Sequence, residues 1–584
     1  MKKVKLFTLL ALLLMAGRVT MQAQITCWDG SVAEAYAGGN GTSGNPYQIA
    51  TAEQLALLAQ QTNEGSGGNA CYILTDSICL NGFEGYSWQP IGTDEFAFTG
   101  YFDGNQFPIK DMYITNAGFS GLFGNTLNAT VCNVRVTDAM DNNANPQGAD
   151  GLIVGKATNT NIISCTAMGS MNGIASKQGG IVGHFVVDTS DADTIFLKDC
   201  VNHVNLYGML YAGGIAGYSE ITNGIMCIGH CVNLGNITNG VMCGGIVGAG
   251  SFSISHCDNY GMVSSNSIAG GIVGQRDIFG EIVFCTNHDK ASIQGEIAGG
   301  IIGAAMQTKI AMCANRAKVT AQGGSYDLIC AGGIAGADGK ISNCYNRGDV
   351  EGIVLNGQPD VVQMGGITGT GRSIMNVYNT GAIIPPENPH TTNAWYGIIA
   401  AGLSDNPSVC NWYWFGEYDV NPYGFDWPYY SVPGSCAFNE GTSTTTWILD
   451  EAQYGTTDLT EALNQGAMNE CRWMEDENLT NGGFPIFGVV PPEGFAEQET
   501  QLFDVYPNPG GNTLNIRTDL QNAHVEVYDM NGRLVHSQAL TENVTAIDAA
   551  DWAEGVYVWK VYTSNDGPST GSATLVETGQ WVKE

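Results

Sequence analysis

The sequence is poor in charge, and poorest in positive charge. Charged residues make up 13% of its 584 positions, with 22 Lys or Arg against 56 Asp or Glu and a formal net charge of −34. Such a surface repels polyphosphates, so nucleic acid and anionic membranes are poor partners and none is expected. Cations, Ca²⁺ above all, stay admissible, although acidic loops also simply keep an exported protein soluble. Zinc signatures are missing too. None of the 8 histidines is followed by Glu, so there is no His-Glu-x-x-His helix, and the 17 cysteines include no Cys-x-x-Cys pair. Long apolar runs are absent after the N-terminus. The run from Leu6 to Met15, about ten residues, is too short to cross a bilayer, so no transmembrane segment is expected in the mature chain.

What the N-terminus does contain is a secretory signal. Lys2, Lys3 and Lys5 precede the apolar run, and Met21-Gln22-Ala23 forms a small-residue cleavage site before Gln24. Cys27 follows Gln24-Ile25-Thr26, which is not a lipobox. Cleavage would remove Lys2, Lys3, Lys5 and Arg18 and no acidic residue, leaving the mature chain more acidic still. The length exceeds one compact core, so several domains or a repeat array are expected. Hydrophobic residues at 44% supply a core, and 79 glycines supply tight corners.

A repeat runs through the middle. Gly179-Gly180-Ile181-Val182-Gly183 recurs roughly every thirty residues as Gly213 to Gly217, Gly244 to Gly248, Gly270 to Gly274, Gly299 to Gly303, Gly332 to Gly336 and Gly365 to Gly369. Its isoleucine is always present: Ile181, Ile215, Ile246, Ile272, Ile301, Ile334 and Ile367. Looser copies stand at Gly121 to Gly124, Gly151 to Gly155 and Gly397 to Ala400. A Cys-x-Asn signature trails the copies and contributes Asn202, Asn233, Asn259, Asn287, Asn315 and Asn346, with Val377-Tyr378-Asn379 lacking the thiol.

A unit this small cannot bury its own apolar face. Stacking coils about 4.8 Å apart lets each residue sit on its equivalent, which predicts an all-β fold, a right-handed parallel β-solenoid of about ten rungs and about 48 Å. Each rung is expected to read strand, turn, strand, turn. The isoleucines should stack inside, the glycines should allow positive φ or close backbone approach, and the asparagines should ladder their amides at left-handed turns. Cys165, Cys200, Cys231, Cys257, Cys285, Cys313 and Cys344 hold one rung position each, which favours buried free thiols over a disulfide framework. Cys71 with Cys79, and Cys410 with Cys436, are the disulfide candidates outside the repeats.

Solenoid ends need covering. At the front, Thr51-Ala52-Glu53-Gln54 is a capping box opening a short amphipathic helix through Leu55, Leu57 and Leu58. Trp88-Gln89-Pro90-Ile91-Gly92 and Phe102-Asp103-Gly104-Asn105 then begin the first rungs. Behind the repeats, rings gather from Trp395 to Tyr430, including Trp412, Trp414 and Trp427. They suit an apolar cap, or a platform for stacking sugar rings in an extracellular glycan. Pro491 to Gln501 reads as a linker. After it, Asp504-Val505-Tyr506-Pro507-Asn508-Pro509, Val527-Tyr528-Asp529-Met530-Asn531-Gly532-Arg533-Leu534-Val535 and Gly555-Val556-Tyr557 alternate in the manner of a small Ig-like β-sandwich, with a hairpin at Asn531-Gly532.

Two resemblances follow. Residues 28 to 490 resemble the GLUG-repeat proteins of bacterial surfaces in the order of leader, Trp-x-Pro-Ile-Gly, Phe-Asp-Gly-Asn and Gly-Leu-Phe-Gly elements. Such repeats accompany adhesins and some IgA-cleaving metallopeptidases, whose zinc helix is missing here. Residues 502 to 584 resemble the C-terminal sorting domain of type IX secretion in Bacteroidetes. That resemblance implies recognition by the outer-membrane machinery, removal of the domain and, in many relatives, a lipopolysaccharide anchor in exchange. Asp76-Ser77-Ile78 and Asp193-Thr194-Ile195 resemble O-glycosylation sites of the same bacteria.

The expected organisation is signal peptide 1–23, N-terminal cap and first rungs 24–115, repeats 116–402, aromatic-rich rungs or cap 403–490, linker 491–501 and sorting domain 502–584. The expected function is a non-catalytic, exported adhesin or binding scaffold for an extracellular glycan or protein, with no cofactor unless Ca²⁺ is bound. Asp188, Asp191 and Asp193 form the densest acidic loop of the repeats and are the candidate Ca²⁺ ligands. The competing expectation is a polysaccharide lyase or glycosidase, by analogy with β-helix enzymes that act through clustered carboxylates.

Overall fold

The computed structural model describes residues 26–415, apart from short stretches at 83–84, 116, 190–193, 277–279, 307, 324–327, 356–360, 387–393 and 398, and then strands and a helix placed between 440 and 583. The segments expected to be signal peptide, 1–23, and linker, 491–501, lie outside the described residues. The chain divides into two compact units, Met1–Val490 and Pro491–Glu584.

The first unit is a parallel β-solenoid. One of its faces is a ten-stranded parallel sheet running from Phe119–Ser120 through Ala149–Gly151, Lys177–Gly179 and Tyr211–Gly213 to Ala394–Gly397, one strand per coil. Every equivalent position pairs in register, for example Gly179 with Gly213 and Gly244 with Gly270. Coils are more finely divided than the expected two strands. One coil contains Tyr211–Gly213, Ala216–Asn223, Ile225–Gly229, Val232–Asn233 and Ile237–Thr238, five short strands around one core. The repeat isoleucines, from Ile181 to Ile367, are all fully buried in that core, each stabilising it by about 2 kcal/mol.

The asparagines form a continuous ladder. Asn202 Nδ2 donates to Asn233 Oδ1 at 2.8 Å, and the same link joins Asn233 to Asn259, Asn259 to Asn287 and Asn287 to Asn315 at 2.8 Å, Asn315 to Asn346 at 2.7 Å and Asn346 to Asn379 at 2.8 Å. Asn202 to Asn346 sit in two-residue strands and Asn379 ends the strand Thr368–Asn379, not at left-handed turns as expected. The left-handed residue comes three positions earlier, just before the thiol: Ser164, Asp199, His230, His256, Phe284 and Met312 all have φ between 51° and 56°. That corner turns the following cysteine inward. Each thiol then donates to the carbonyl two residues back, as Cys231 does to Gly229 at 3.2 Å and Cys285 to Val283 at 3.3 Å. All seven are free and buried.

The glycines of the full motif serve close approach; among the described residues none of them adopts a left-handed φ. A Cβ on Gly245 would stand 2.1 Å from the Gly271 carbonyl oxygen and 2.5 Å from Cγ of Asn259. The second glycine and the asparagine are therefore two halves of one contact.

At the front, Thr51 Oγ1 accepts from the Gln54 amide at 3.4 Å and the helix runs Ala52–Asn63, with Leu55, Leu57 and Leu58 buried. The solenoid already begins here, since Tyr47–Ile49 pairs in parallel with Cys71–Leu74 and that strand with Tyr101–Asp103. The disulfide expectation is corrected: Cys79 is bonded to Cys27, and Cys71 is free. The Trp28 amide donates to the Cys79 carbonyl at 2.9 Å, which lays the N-terminal segment beside the strand Ile78–Cys79 and brings Cys27 to it. Cys436 lies outside the described residues.

The second unit holds two antiparallel sheets, one of Phe503–Tyr506, Thr513–Thr518 and Val544–Asp548, the other of Leu534–Leu540, Ala523–Asp529, Gly555–Thr563 and Thr574–Lys583. Leu514, Ile516 and Ile547 of the first share one buried cluster with Val525, Val527, Val561 and Trp581 of the second. Ala523–Asp529 and Leu534–Leu540 form the expected hairpin, although Asn531 and Gly532 lie outside the described residues. Lys583, buried at the end of the last strand, donates to the carbonyls of Ala549, Ala550 and Trp552 at 2.6, 3.0 and 2.7 Å.

Candidate functional site

Parallel in-register stacking imposes a rule on the outside of the rod: residues at the same coil position stand one strand spacing apart, close to the separation of stacked rings. On the face that carries the Cys-x-Asn strands, this rule produces two ordered outward columns.

The first column is the left-handed corner. His230 stacks on His256 with centroids 4.8 Å apart and planes 8° apart, and His256 stacks on Phe284 at 4.9 Å and 14°. The second follows the asparagines: His203, Leu234, Tyr260, His288, Arg316 and Arg347. Backbone bonds keep it in line, the Leu234, Tyr260 and His288 amides donating to the Asn202, Asn233 and Asn259 carbonyls at 2.8 to 2.9 Å. Tyr260 stacks on His288 at 3.9 Å and 10°, and His288 Nε2 lies 2.8 Å from Asp258 Oδ1. Burial, then the Asp258 carboxylate, raise the Tyr260 phenol above its ordinary value. Burial lowers His203 below the usual imidazole range, with Arg135 adding to the effect.

Towards the C-terminal end the same face is covered by the chain itself. Ala314, Tyr345 and Tyr378 are buried beneath Leu459, Leu463 and Trp473. The Tyr378 hydroxyl donates to the Pro485 carbonyl at 2.7 Å, and Arg347 donates to Asn481 at 3.0 Å. Arg316 marks the boundary, with Nη2 donating to the Tyr345 hydroxyl at 3.1 Å. The open part is therefore the stretch of coils from His203 to Arg316. Half of the chain's 8 histidines lie here, in a molecule of net charge −34.

The residues expected to form sites fall elsewhere. Asp188 is exposed at the end of Val182–Asp188, its amide donating to Asn159 Oδ1 at 2.7 Å, while Asp191 and Asp193 lie outside the described residues. The backbones of Trp395, Trp412 and Trp414 continue the solenoid, Trp412 opposite Val377 and Trp414 opposite Asn379, but their side chains, and all of Trp427, lie outside the described residues. The two histidine columns were legible in principle from the residues before each Cys and after each Asn. Only the register shows that they touch.

Comparison with known proteins assigns the C-terminal unit. Residues 504–571 match the secretion system C-terminal sorting domain. The chain is also similar to halomucin of Haloquadratum walsbyi, 33% identical over 172 residues that cover 27% of this chain and 2% of halomucin. A putative Gly-rich membrane protein of Evansella cellulosilytica is 35% identical over 94 residues, 15% of this chain and 10% of that protein. The chain thus spans a tenth or less of the curated relatives it matches. No solved structure matches it. Fold and domain together define a class, a β-solenoid protein that carries a type IX sorting domain. That domain points to export to the cell surface or extracellular space and implies contact with the type IX machinery. Among the described residues no helix is long and apolar enough to cross a membrane.

Proposed function

We propose that this chain is a non-catalytic binding scaffold of the adhesin kind, a GLUG-repeat surface protein of the Bacteroidetes type. In this reading residues 1–23 take it into the periplasm, and the C-terminal unit takes it through the outer membrane, where it is held by a lipopolysaccharide anchor or released. Its ligand is an extracellular glycan or protein. The observation that supports the reading is the lateral face from His203 to Arg316, where stacked rings and cationic or imidazole groups stand in fixed columns on a rigid rod. A preorganised ladder of this kind loses little side-chain entropy on binding. The polysaccharide-cleaving alternative rests on analogy of fold, with Asp188 the exposed carboxylate of its acidic loop among the described residues.

The test is a glycan and matrix-protein array probed with the full chain beside a His256→Ala, Tyr260→Ala, His288→Ala variant. Binding by the parent that falls at least about tenfold in the variant is expected from the loss of a central cluster. Equal binding by both would move the ligand site to another face, and release of soluble products from a polysaccharide would replace the scaffold reading with the enzymatic one.

A further inference from the structure

Among the described residues, the buried carboxylates of the solenoid stand apart from its asparagine ladder and its scattered buried hydroxyls. In the ten-stranded sheet, the inward position just before the repeat glycines is Ala212, Cys243, Ala269, Ala298 and Ala331 in successive coils, all fully buried. In the three preceding coils the same column reads Ser120, Asp150 and Gln178, directly in register and equally buried. A neighbouring inward column runs Ile114, Asp141, Met171 and Leu206, again with one carboxylate among apolar residues. The fold itself needs only small or apolar side chains at these positions. Two carboxylates have replaced them in a single coil.

Asn143 joins the two. Its amide donates to Asp141 Oδ1 at 2.9 Å and its Nδ2 donates to Asp150 Oδ1 at 2.8 Å, while its own Oδ1 accepts from the Ala117 amide at 3.1 Å. Each carboxylate thus has one oxygen held. The other oxygens, Asp141 Oδ2 and Asp150 Oδ2, are fully buried and lack a well-formed hydrogen bond, with only the Ser120 hydroxyl acting on Asp141 and the Ala175 amide on Asp150, and Gln178 Oε1 is buried with no partner. The amide end of Gln178 is fixed, Nε2 donating to the Gly173 carbonyl at 2.7 Å, so its oxygen is the free end. Gly173 packs directly against the carboxylate: a Cβ there would lie 2.6 Å from Asp150 Oδ2, so the close approach requires glycine. Two carboxylates and an amide oxygen so poorly satisfied in adjoining buried columns are costly unless something joins them.

We propose that Asp141, Asp150, Gln178 and Ser120 form an internal cation site that takes Ca²⁺. Two carboxylates balance the divalent charge, and every donor is a hard oxygen, with backbone carbonyls close by. Nitrogen and sulfur donors, which a transition metal would recruit, are absent from the set. The ion would enter as the coils close and would tie the first rungs together from inside, as a structural metal does. The competing arrangement is a proton: burial, then the Asp141 charge, push Asp150 up to about 8, and burial raises Asp141 to about 6. Protonated carboxyls would need no ion.

The experiment uses the full exported chain, refolded from denaturant with or without Ca²⁺ at pH 8 and desalted. Metal content and melting temperature are then measured for the parent, Asp150→Asn, Asp141→Asn and Gln178→Ala. The parent is expected to keep about one Ca²⁺ per chain and to melt several degrees higher than in chelator. Asp150→Asn and Asp141→Asn should keep none. Gln178→Ala places in this coil the residue that neighbouring coils already use, so it folds, and its Ca²⁺ affinity should fall about tenfold. A parent that retains no ion and melts identically in Ca²⁺ and chelator overturns the proposal in favour of the protonated pair. Retention unchanged in Gln178→Ala and in either aspartate variant assigns the ion to the surface acids and overturns it equally.

Discussion

Asn259 shows what a single residue contributes. Its Nδ2 donates to Gly261 at 3.0 Å and Asn287 at 2.8 Å, and its Oδ1 accepts from Gly261 at 3.2 Å and Asn233 at 2.8 Å. All of this happens where its exposure is zero, so removing the amide orphans buried groups in its own coil and in both neighbours. Asn259→Ala is expected to destabilise the solenoid by about 3 kcal/mol in a urea titration. Asn259→Asp should cost more, because a carboxylate cannot donate to Asn287. Gly245→Ala should be about as damaging as Asn259→Ala, since the new methyl would strike the Gly271 carbonyl and the Asn259 amide together. The asparagine and the glycine were both visible in the sequence as recurrent letters. That they are in contact was not, because some fourteen residues and two corners separate them in the chain.

Stacked columns behave as units. The thiols from Cys165 to Cys344 sit at zero exposure; burial pushes Cys200, Cys257 and Cys285 well above the ordinary thiol value, while against burial the hydrogen bonds of neighbouring thiols hold Cys231 and Cys313 well below it. Lack of access, common to all seven, is therefore what protects the column from reagents. Native protein treated with an alkylating reagent should leave these seven unlabelled, and unfolding it without reductant should expose all seven to label. Failure to label after unfolding would mean disulfides along the column. The sequence supported this outcome through periodicity alone, whereas it mispaired Cys79, since only the strand beside Trp28 reveals Cys27 as its neighbour. The coil holding Asp141 and Asp150 titrates in a defined direction. Both carboxyls have folded values above their unfolded ones, so without a bound cation the native state holds more protons, and stability should fall as pH rises from about 4 towards 8. Denaturation in chelator at pH 5 and pH 8 checks this. Asp150→Asn should flatten the difference between the two.

At the scale of the whole molecule, shape and destination are carried by separate units. The first unit buries a single core along its coils, and repeats that touch only their neighbours unfold progressively, so denaturation by urea should be broad or stepped. The second unit closes its own core between two sheets and matches the sorting domain over residues 504–571. Deleting residues 502–584 is expected to leave the solenoid folded but retained inside the outer membrane, read by fractionating cells and blotting each compartment. Appearance of the shortened chain in the medium or on the surface would show that export does not depend on the domain.

By itself the sequence determined the solenoid, the number of its coils, the inward isoleucines and thiols, and the nature of the C-terminal unit, because periodicity and a dense local motif survive without knowledge of what touches what. The tertiary structure decided the rest. Left-handed corners fell before the cysteines, where the chain must turn to aim a thiol inward. His230, His256 and Phe284 became a stack, and Tyr260 met His288, because equivalent positions in adjacent coils lie one strand spacing apart. Asp141 and Asp150, nine residues apart and unmarked by any motif, became a buried pair only when their coil closed around Asn143. Contacts between coils are set by register, and register is written in three dimensions.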